Sequence, residues 1–457
     1  MKDKIAWVCL VCAFLLSCSS KHQKPEPAVL PVAPVEKTVF PKGQVIPSVR
    51  CETDASQSFA LYLPESYSDS VKYPVMIFFD PHGEGSLPLN RYRSLAERFG
   101  MILMGSNDSK NGLQFDQTNA LAGNLIREAG SRFPADVKRI ALAGFSGGAK
   151  VALVASSLHP ELLAVIYCGA AVPLATISQI PPALGFAGLR DLNYAEVGNS
   201  SRELYEKKIA HALIEWEGKH EWPDAAVFED AFYWCDFQSM RIQSIAINPA
   251  TIRPFVNKTQ QSLQHSPSAI AQVSLCTKAI SFLQNIADVS ALQKKLEVVT
   301  RSASFQSEMQ SRQNLLQLEN NLKENYAQCF ESKDLSWWQQ EIKRMRAVKG
   351  EQELMYQRLL GYLSLEAYSY SGNAIRQNDF ALAQRFLGIY KLADPENSEQ
   401  PFLQACLFAR QGNQQQALFS LQEAVKLGLK DKAKIEAEES FVSLRSTPEF
   451  RAFLNSL

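Results

Sequence analysis

The stretch RIALAGFSGGAKVAL, residues 139–153, decides how the chain is interpreted. An apolar run ends at Gly144, and a pattern typical of a helix begins after Gly148, with Ser146 between them. Buried strands are short apolar runs, whereas helices space their apolar residues three or four positions apart. The stretch therefore predicts a strand, a tight turn and a helix. Ser146 is either a nucleophile held by that turn or a turn residue without a chemical role.

Similar apolar runs alternate with helical patterns from about residue 50 to residue 236. The clearest are YPVMIFFD (73–80), GMILMGSND (100–108) and LLAVIYCGA (162–170). Strands that alternate with helices indicate βα units and a mostly parallel sheet. The sequence therefore predicts an α/β domain over residues 48–236.

The chain changes character after residue 237, where helical periodicity dominates. Near the end, two segments align at an offset of 34 residues, with Ala383 matching Ala417 and Leu387 matching Leu421. This offset is the period of tetratricopeptide repeats. We therefore predict an all-α region with repeats of this kind over residues 361–457. The stretch 237–360 is either a set of degenerate repeats or a helical connector, and an unrelated helical bundle is the alternative for the whole region.

The N-terminus has the pattern of a targeting signal. Lys2 and Lys4 precede an apolar run over residues 5–16, which is short for a membrane span. The run ends in LLSC, which resembles the lipobox of bacterial lipoproteins. The resemblance implies cleavage after residue 17 and lipidation of Cys18, and Ser19 favours the outer membrane. An ordinary secretory signal is the alternative. The Pro-rich residues 18–47 are predicted to form an extended tether.

Composition excludes several classes of function. Lys+Arg and Asp+Glu each number 47, so no excess of positive charge favours nucleic acid. The six cysteines after Cys18 contain no CxxC pair, so no zinc site is expected. No phosphate-binding glycine motif is present, so no nucleotide cofactor is expected either. We predict that the protein works without a metal or cofactor.

The motif GFSGGAK, residues 144–150, resembles the α/β-hydrolase superfamily, and within it secreted esterases of the feruloyl-esterase and polyhydroxyalkanoate-depolymerase kind. The resemblance covers residues 50–236. It implies that Ser146 is the nucleophile, followed along the chain by an acid and then by a histidine. A serine hydroxyl is a poor nucleophile without such a base.

His220 is the candidate base. It lies in EWEGKHEWPD, just past the last predicted strand, and this segment resembles the GGHEW loop of these esterases, with Lys219 in place of the second glycine. A histidine at the surface without a catalytic role is the alternative.

Asp191 is the candidate acid, because it directly follows the apolar run GFAGL and lies between Ser146 and His220. A carboxylate there would fix the histidine tautomer. Glu196 and Glu203 are rivals that fall in helical sequence, and an aspartate that caps the next turn is the alternative.

The oxyanion formed during attack needs hydrogen-bond donors. Gly147, after the nucleophile, would supply one N–H. The loop 81–85, PHGEG, resembles the HG-containing oxyanion loop of the superfamily, so either Gly83 or Glu84 would supply the second N–H, and His82 would orient the loop.

Substrate preference is less clear from the sequence. Residues 106–112, SNDSKNG, follow a strand and could line the pocket. Four aromatic residues near the predicted acid and base would form either a binding platform or part of the core: Tyr194, Trp216, Trp222 and Trp234.

Together these patterns predict an exported, lipid-anchored serine hydrolase that acts on a small-molecule or polysaccharide-linked ester. A serine peptidase is the alternative within the same chemistry. A non-catalytic binding or assembly lipoprotein, which recruits a protein partner through its helical repeats, is the alternative from a different class.

Overall fold

The structure is a computed structural model that describes residues 39–177, 179–266 and 268–457. The predicted signal sequence 1–17, Cys18 and the tether as far as residue 38 lie outside the described residues. Export and lipidation therefore stay predictions.

The short apolar runs form one sheet of eight strands within the described residues. Every residue of the third, fourth, sixth and seventh strands is buried, because helices cover both faces of a parallel sheet. The strands are β1 (Val45–Arg50), β2 (Ser58–Tyr62), β3 (Tyr73–Phe79), β4 (Ile102–Ser106), β5 (Ala135–Phe145), β6 (Ala164–Cys168), β7 (Ala183–Gly188) and β8 (His211–Trp216).

The strand order is β1-β2-β4-β3-β5-β6-β7-β8. β2 pairs antiparallel with β1 and β4, and all other neighbours pair in parallel. The prediction of a mostly parallel sheet is confirmed, and this order is that of an α/β-hydrolase fold. Because β5 to β8 lie side by side and run parallel, their carboxyl ends meet at one edge of the sheet.

β1 begins within the predicted tether, at residues 45–47, and continues into the predicted α/β domain at residues 48–50. It is the outer strand of the sheet, with Val45 opposite Tyr62 of β2. Only Val49 of its six residues is buried. Pro47 is tolerated because an edge strand does not need every N–H for pairing. A strand with so little burial leaves no apolar run in the sequence, which is why it was not predicted.

The helices that cover the sheet alternate with its strands. The last of them runs across the predicted domain boundary at residue 236, and its Phe228, Phe232 and Phe237 are fully buried. This helix is therefore part of the hydrophobic core that it shares with the sheet. The helices are α1 (Ser86–Phe99), α2 (Phe115–Arg132), α3 (Gly147–Leu158), α4 (Tyr194–Glu206) and α5 (Ala225–Arg241), with a 3₁₀ helix at Leu174–Thr176.

The rest of the described chain is helical, which confirms the predicted all-α region. In the residues that the structure describes, no helix is both long and apolar enough to cross a membrane. The helices are α6 (Pro249–Gln264), α7 (Ala269–Leu283), α8 (Ser290–Thr300), α9 (Ala303–Ser332), α10 (Leu335–Ala347), α11 (Glu353–Arg376), α12 (Phe380–Ala393), α13 (Glu399–Arg410), α14 (Gln414–Lys426), α15 (Lys432–Ala437) and α16 (Pro448–Asn455), with 3₁₀ helices at Gly350–Gln352 and Glu439–Phe441.

The two aligned segments occupy α12 and α14. Ala383 and Ala417 are fully buried, as are Leu387 and Leu421 at the next matched position. α12 packs against α11, and α14 packs against α13. Equivalent sequence positions therefore have equivalent burial. The assignment to tetratricopeptide repeats stays a prediction.

The helical region packs directly on the sheet. α7 lies against β8, where the Ser281 hydroxyl donates to the His211 carbonyl oxygen. The Lys278 ammonium on α7 lies 2.9 Å from the Asp230 carboxylate on α5. Residues 41–457 accordingly form one compact unit. The predicted domain boundaries stay predictions.

The cysteines of the described residues are all buried and form no disulfide among themselves. Burial raises the pKa of the Cys51 thiol to about 12 and that of Cys168 well above its usual value. A thiol with a raised pKa is a poor nucleophile, so these cysteines act as small apolar core residues. They are Cys51, Cys168, Cys235, Cys276, Cys329 and Cys406.

Candidate active site

Ser146 lies in the turn between β5 and α3. Its φ is 52° and its ψ is −121°, a conformation that side-chain-bearing residues rarely adopt. Glycine is required at positions 144 and 148 because other backbone atoms approach closely there. A Cβ on Gly144 would come closer than 3.0 Å to the Gly148 carbonyl oxygen, and one on Gly148 would do the same at Phe79. This strained strand–turn–helix holds the serine side chain at the carboxyl edge of the sheet.

The structure brings Ser146, His220 and Asp191 together. His220 follows β8 and Asp191 follows β7, so both lie at the same edge as Ser146. The Ser146 Oγ is 2.9 Å from His220 Nε2, and His220 Nδ1 is 2.9 Å from Asp191 Oδ1. An ionised carboxylate only accepts hydrogen bonds, so Nδ1–H donates to Asp191 and Nε2 is left to accept from the serine hydroxyl.

The Asp191 carboxylate is buried and held from a second direction. The Asn193 N–H donates to Asp191 Oδ1 at 2.8 Å, and the Asn193 amide donates to the Gly169 carbonyl oxygen at 2.8 Å. Gly169 has a φ of 65°, and a Cβ there would come closer than 3.0 Å to Asp191 Oδ2. Burial and fixed neighbours leave the carboxylate one orientation, toward His220.

The rival acids lie elsewhere. Glu196 accepts a hydrogen bond from the Ala171 N–H at 2.7 Å, and Glu203 accepts one from the Leu174 N–H at 2.7 Å. Both carboxylates of α4 hold the loop after β6. The structure does not bring either of them to His220.

The candidate oxyanion loop follows β3. Asp80 Oδ1 accepts a hydrogen bond from the His82 N–H at 2.9 Å, and the Asp80 carbonyl oxygen accepts one from the Gly83 N–H at 3.2 Å. The Glu84 N–H makes no hydrogen bond with any described residue. Of the two alternatives, Glu84 has the available donor. The His82 side chain is 66% exposed and 3.7 Å from Asp80 Oδ1, and its orienting role stays a prediction.

The segment 106–112 reaches Gly147, the residue after Ser146. The Asn111 N–H donates to the Pro81 carbonyl oxygen at 2.8 Å, which places its side chain beside the oxyanion loop. A Cβ on Gly147 would come closer than 3.0 Å to Asn111 Oδ1. Glycine at 147 thus leaves room for the Asn111 amide, which belongs to the segment that the sequence named as a pocket lining.

The aromatic residues near the site belong mostly to the core. Trp222 and Trp234 are buried, and so is Tyr194. The Phe145 ring lies 4.8 Å from the His220 ring and 5.6 Å from the Trp222 ring. Phe145 and Trp222 thus pack behind His220, and the buried aromatic side chains do not form an exposed platform.

A cavity and the side chains that could hold a metal ion also bear on what the protein can bind. A cavity of about 870 Å³ lies between β8, α7, α9 and α11, and its lining includes Leu189 and Tyr194 but neither Ser146 nor His220. Over the part of the chain that the structure describes, no group of three or more His, Cys, Asp or Glu side chains could hold a metal ion.

The chain is similar to solved esterase structures over less than half of its length. No family model matches the chain, and no curated protein does so. Esterase B from Lactobacillus rhamnosis is 16% identical, covering 46% of this chain and 93% of its own, with a TM-score of 0.37. A Rhizomucor miehei esterase is 12% identical, with 43% and 83% covered and a TM-score of 0.36. An esterase from Pyrobaculum calidifontis is 14% identical, with 45% and 88% covered and a TM-score of 0.35. The roles of the residues in this chain therefore rest on its own geometry.

Proposed function

We propose that the protein is a serine hydrolase that cleaves carboxylic esters through an acyl-enzyme. The observation that carries the proposal is the position of His220, whose two ring nitrogens each lie 2.9 Å from an oxygen, one of Ser146 and one of Asp191. A nucleophile, a base and an orienting carboxylate in this order are what acyl transfer requires.

In the proposed reaction, Ser146 Oγ attacks the ester carbonyl carbon while His220 Nε2 takes the hydroxyl proton. The C–O bond to the alcohol then breaks, and the alcohol leaves with that proton. Water next attacks the acyl carbon and gives a proton to His220, which returns it to Ser146 Oγ as the acid departs. Asp191 holds the Nδ1–H throughout and stabilises the imidazolium form.

The developing oxyanion would be held by the N–H groups of Gly147 and Glu84. Partial burial raises the pKa of the Glu84 carboxyl, and the nearby Asp80 carboxylate adds to the rise. Asn111, packed against Gly147, would form one side of the acyl pocket.

The first test is labelling of the full-length chain with a fluorophosphonate probe. Ser146→Ala should abolish labelling, whereas Ser157→Ala should not, because the Ser157 hydroxyl only donates to the Val154 carbonyl oxygen within α3. Acetyl and feruloyl esters and a peptide p-nitroanilide then distinguish esterase from peptidase. A folded wild-type protein that takes no label would rule out the hydrolase and leave the binding or assembly lipoprotein.

We also propose, from the LLSC motif and its flanking lysines, that the protein is exported and lipid-anchored through Cys18. Incorporation of an alkynyl fatty acid into the wild-type chain but not into Cys18→Ala would support this. Equal incorporation into both would exclude Cys18 as the lipidated residue. That the helical repeats bind a protein partner stays a proposal, which rests on the sequence alone.

A further inference from the structure

Asp191 lies in a short loop, residues 189–194, which we call the acid loop. On one side β8 and the segment just after it hold the loop, because the Leu189 N–H donates to the Trp216 carbonyl oxygen and the Arg190 N–H donates to that of Gly218, each at 2.9 Å. Two carbonyl oxygens of the loop face the helical region instead. They belong to Leu189, before Asp191, and Leu192, after it, and each is bound by a cation of that region.

Two cations make these contacts. Arg358 on α11 donates from Nη1 to the Leu189 carbonyl oxygen at 2.8 Å. Lys323 on α9 donates from Nζ to the Leu192 carbonyl oxygen at 3.1 Å. The acid loop is therefore fixed by the sheet through its N–H groups and by the helices through its carbonyl groups.

Glu319 joins the two cations. Its Oε2 accepts from Arg358 Nε at 2.8 Å and lies 2.7 Å from Arg358 Nη2, and its Oε1 lies 2.9 Å from Lys323 Nζ. The Glu319 side chain is 1% exposed and that of Arg358 is 7% exposed. Charges taken out of water destabilise a protein unless they are paired, and packing alone would be served as well by apolar side chains. Here every charge is paired, and two of the three side chains also bind the acid loop.

Tyr194, at the end of the acid loop, adds a second connection. The Arg358 guanidinium lies 4.8 Å from the centre of the Tyr194 ring. The Tyr194 hydroxyl donates to Glu215 on β8 at 2.6 Å, and Arg312 on α9 also binds Glu215. The Tyr194 N–H donates to the Asp191 carbonyl oxygen at 2.9 Å. The backbone of Asp191 is thus linked to both α9 and α11.

We propose that Arg358, Lys323 and Glu319 are positioning residues for Asp191, so that the helical region completes the active site. This inference rests on the proposed serine hydrolase. Asp191 is three residues beyond the end of β7, so its distance from His220 Nδ1 depends on the loop backbone. A displacement of about 1 Å in a catalytic geometry can cost about 100-fold in rate.

The test compares Arg358→Met and Arg358→Lys in the wild-type and Asp191→Asn backgrounds, in the full-length chain with a small p-nitrophenyl ester. In the wild-type background, Arg358→Met should lower kcat about 10- to 100-fold with little change in KM, and Arg358→Lys should recover part of the loss. In the Asp191→Asn background, the same substitution should cost less than about two-fold, because the residue through which it acts is already lost. Equal losses in both backgrounds would overturn the proposal, as would an unchanged kcat.

Arg346→Met is the matched control, because Arg346 also donates to backbone carbonyl oxygens, those of Leu392 and Ala393, at the end of another helix. It should leave kcat unchanged. Lys323→Met provides a second variant if Arg358→Met does not fold, and it should lower kcat in the same background-dependent way.

The low-field proton resonance of His220 Nδ1–H separates this proposal from the proposed function, because it needs no turnover. Its loss in Arg358→Met, with retention in Arg346→Met, would support the positioning role. An active wild-type protein whose resonance survives in Arg358→Met would overturn the positioning role alone. A wild-type protein with neither labelling nor the resonance would overturn both.

Discussion

The Trp222 indole N–H donates a hydrogen bond to Asp80 Oδ2 at 2.8 Å, and both side chains are buried. Trp222 lies two residues after His220, and Asp80 precedes the loop that contains Glu84. The other oxygen of Asp80 accepts the His82 N–H. One buried carboxylate therefore joins the loop of the proposed base to the loop of the proposed oxyanion donor.

Trp222→Phe should reduce both stability and kcat. The substitution removes the indole donor and leaves a buried carboxylate oxygen without its partner, which costs about 1–3 kcal/mol. The oxyanion loop also loses its link to the His220 loop, so kcat should fall more than KM rises. Urea unfolding and ester kinetics measure the two effects.

Trp234→Phe is the control for this substitution. Trp234 is fully buried, and its indole N–H has no hydrogen-bond partner among the described residues. The change removes the same volume without breaking a hydrogen bond. If the two variants lost equal stability, the Trp222–Asp80 hydrogen bond would make no measurable contribution to the free energy of unfolding.

Gly148→Ala should destabilise the protein and abolish labelling of Ser146. The added Cβ would come closer than 3.0 Å to the Phe79 carbonyl oxygen on β3, which cannot move without distorting the sheet. Overpacking of this kind costs about 1–3 kcal/mol. Thermal unfolding and the rate of fluorophosphonate labelling provide the measurements.

Gly198→Ala gives the opposite expectation and serves as the control. Gly198 lies inside α4, and a Cβ there would meet nothing within 4 Å. Alanine is the better helix former, so this variant should gain about 0.5–1 kcal/mol in the free energy of unfolding. Similar losses in both variants would show that the turn at Ser146 has no special need for glycine.

The sequence was sufficient to predict the sheet and to place Ser146, Asp191 and His220 at one edge of it, because both depend on local patterns. Each of these residues lies shortly after an apolar run, and parallel strands bring such positions to one edge. The GFSGGAK motif adds the strained turn. Such signals are contained within about ten residues of the chain and need no knowledge of distant contacts.

The features of the fold and of the candidate site that the sequence did not predict depend on contacts between distant parts of the chain. Arg358 and Lys323 bind the acid loop across 169 and 131 residues, and nothing in their own neighbourhoods marks them. The choice between Gly83 and Glu84 depended on the hydrogen bonds of one turn. The strand β1 was missed because its residues are mostly exposed. Composition indicated helices after residue 237 but could not show that α5 belongs to the sheet.

Asp191→Asn should lower kcat about 10,000-fold while Ser146 stays in place, because an asparagine cannot fix the histidine tautomer that accepts the serine proton. Glu196→Gln is the control, since its side-chain oxygen still accepts the Ala171 N–H, and kcat should change little. Ester kinetics at saturating substrate compare them. A larger loss of kcat in Glu196→Gln than in Asp191→Asn would show that Glu196, and not Asp191, is the acid.

Glu308 provides a prediction about pH. Hydrogen bonds from the Ile270 and Ala269 N–H groups, at 2.9 and 3.1 Å, hold the pKa of the Glu308 carboxyl below its usual value. These N–H groups begin α7, where a negative charge also interacts favourably with the helix dipole. A lowered pKa in the folded state means that the ionised carboxylate stabilises the fold above its ordinary titration range, and that this stabilisation is lost as the pH falls through the lowered pKa.

Glu308→Gln should therefore be less stable than the wild-type protein by about 0.3–1 kcal/mol at neutral pH, the range for a charge at a helix terminus. The difference should shrink as the pH falls from neutral below the ordinary glutamate range and vanish below the lowered pKa of the Glu308 carboxyl, where the wild-type carboxyl is protonated in both states. Urea unfolding across this pH range measures it. Glu324→Gln is the control, because Glu324 is exposed on the same helix without an ion pair or side-chain hydrogen bond to any described residue, so the substitution breaks no such contact. A Glu308→Gln deficit that stayed constant as the pH fell through this range would mean that the contact stabilises through packing and not through the charge of the carboxylate.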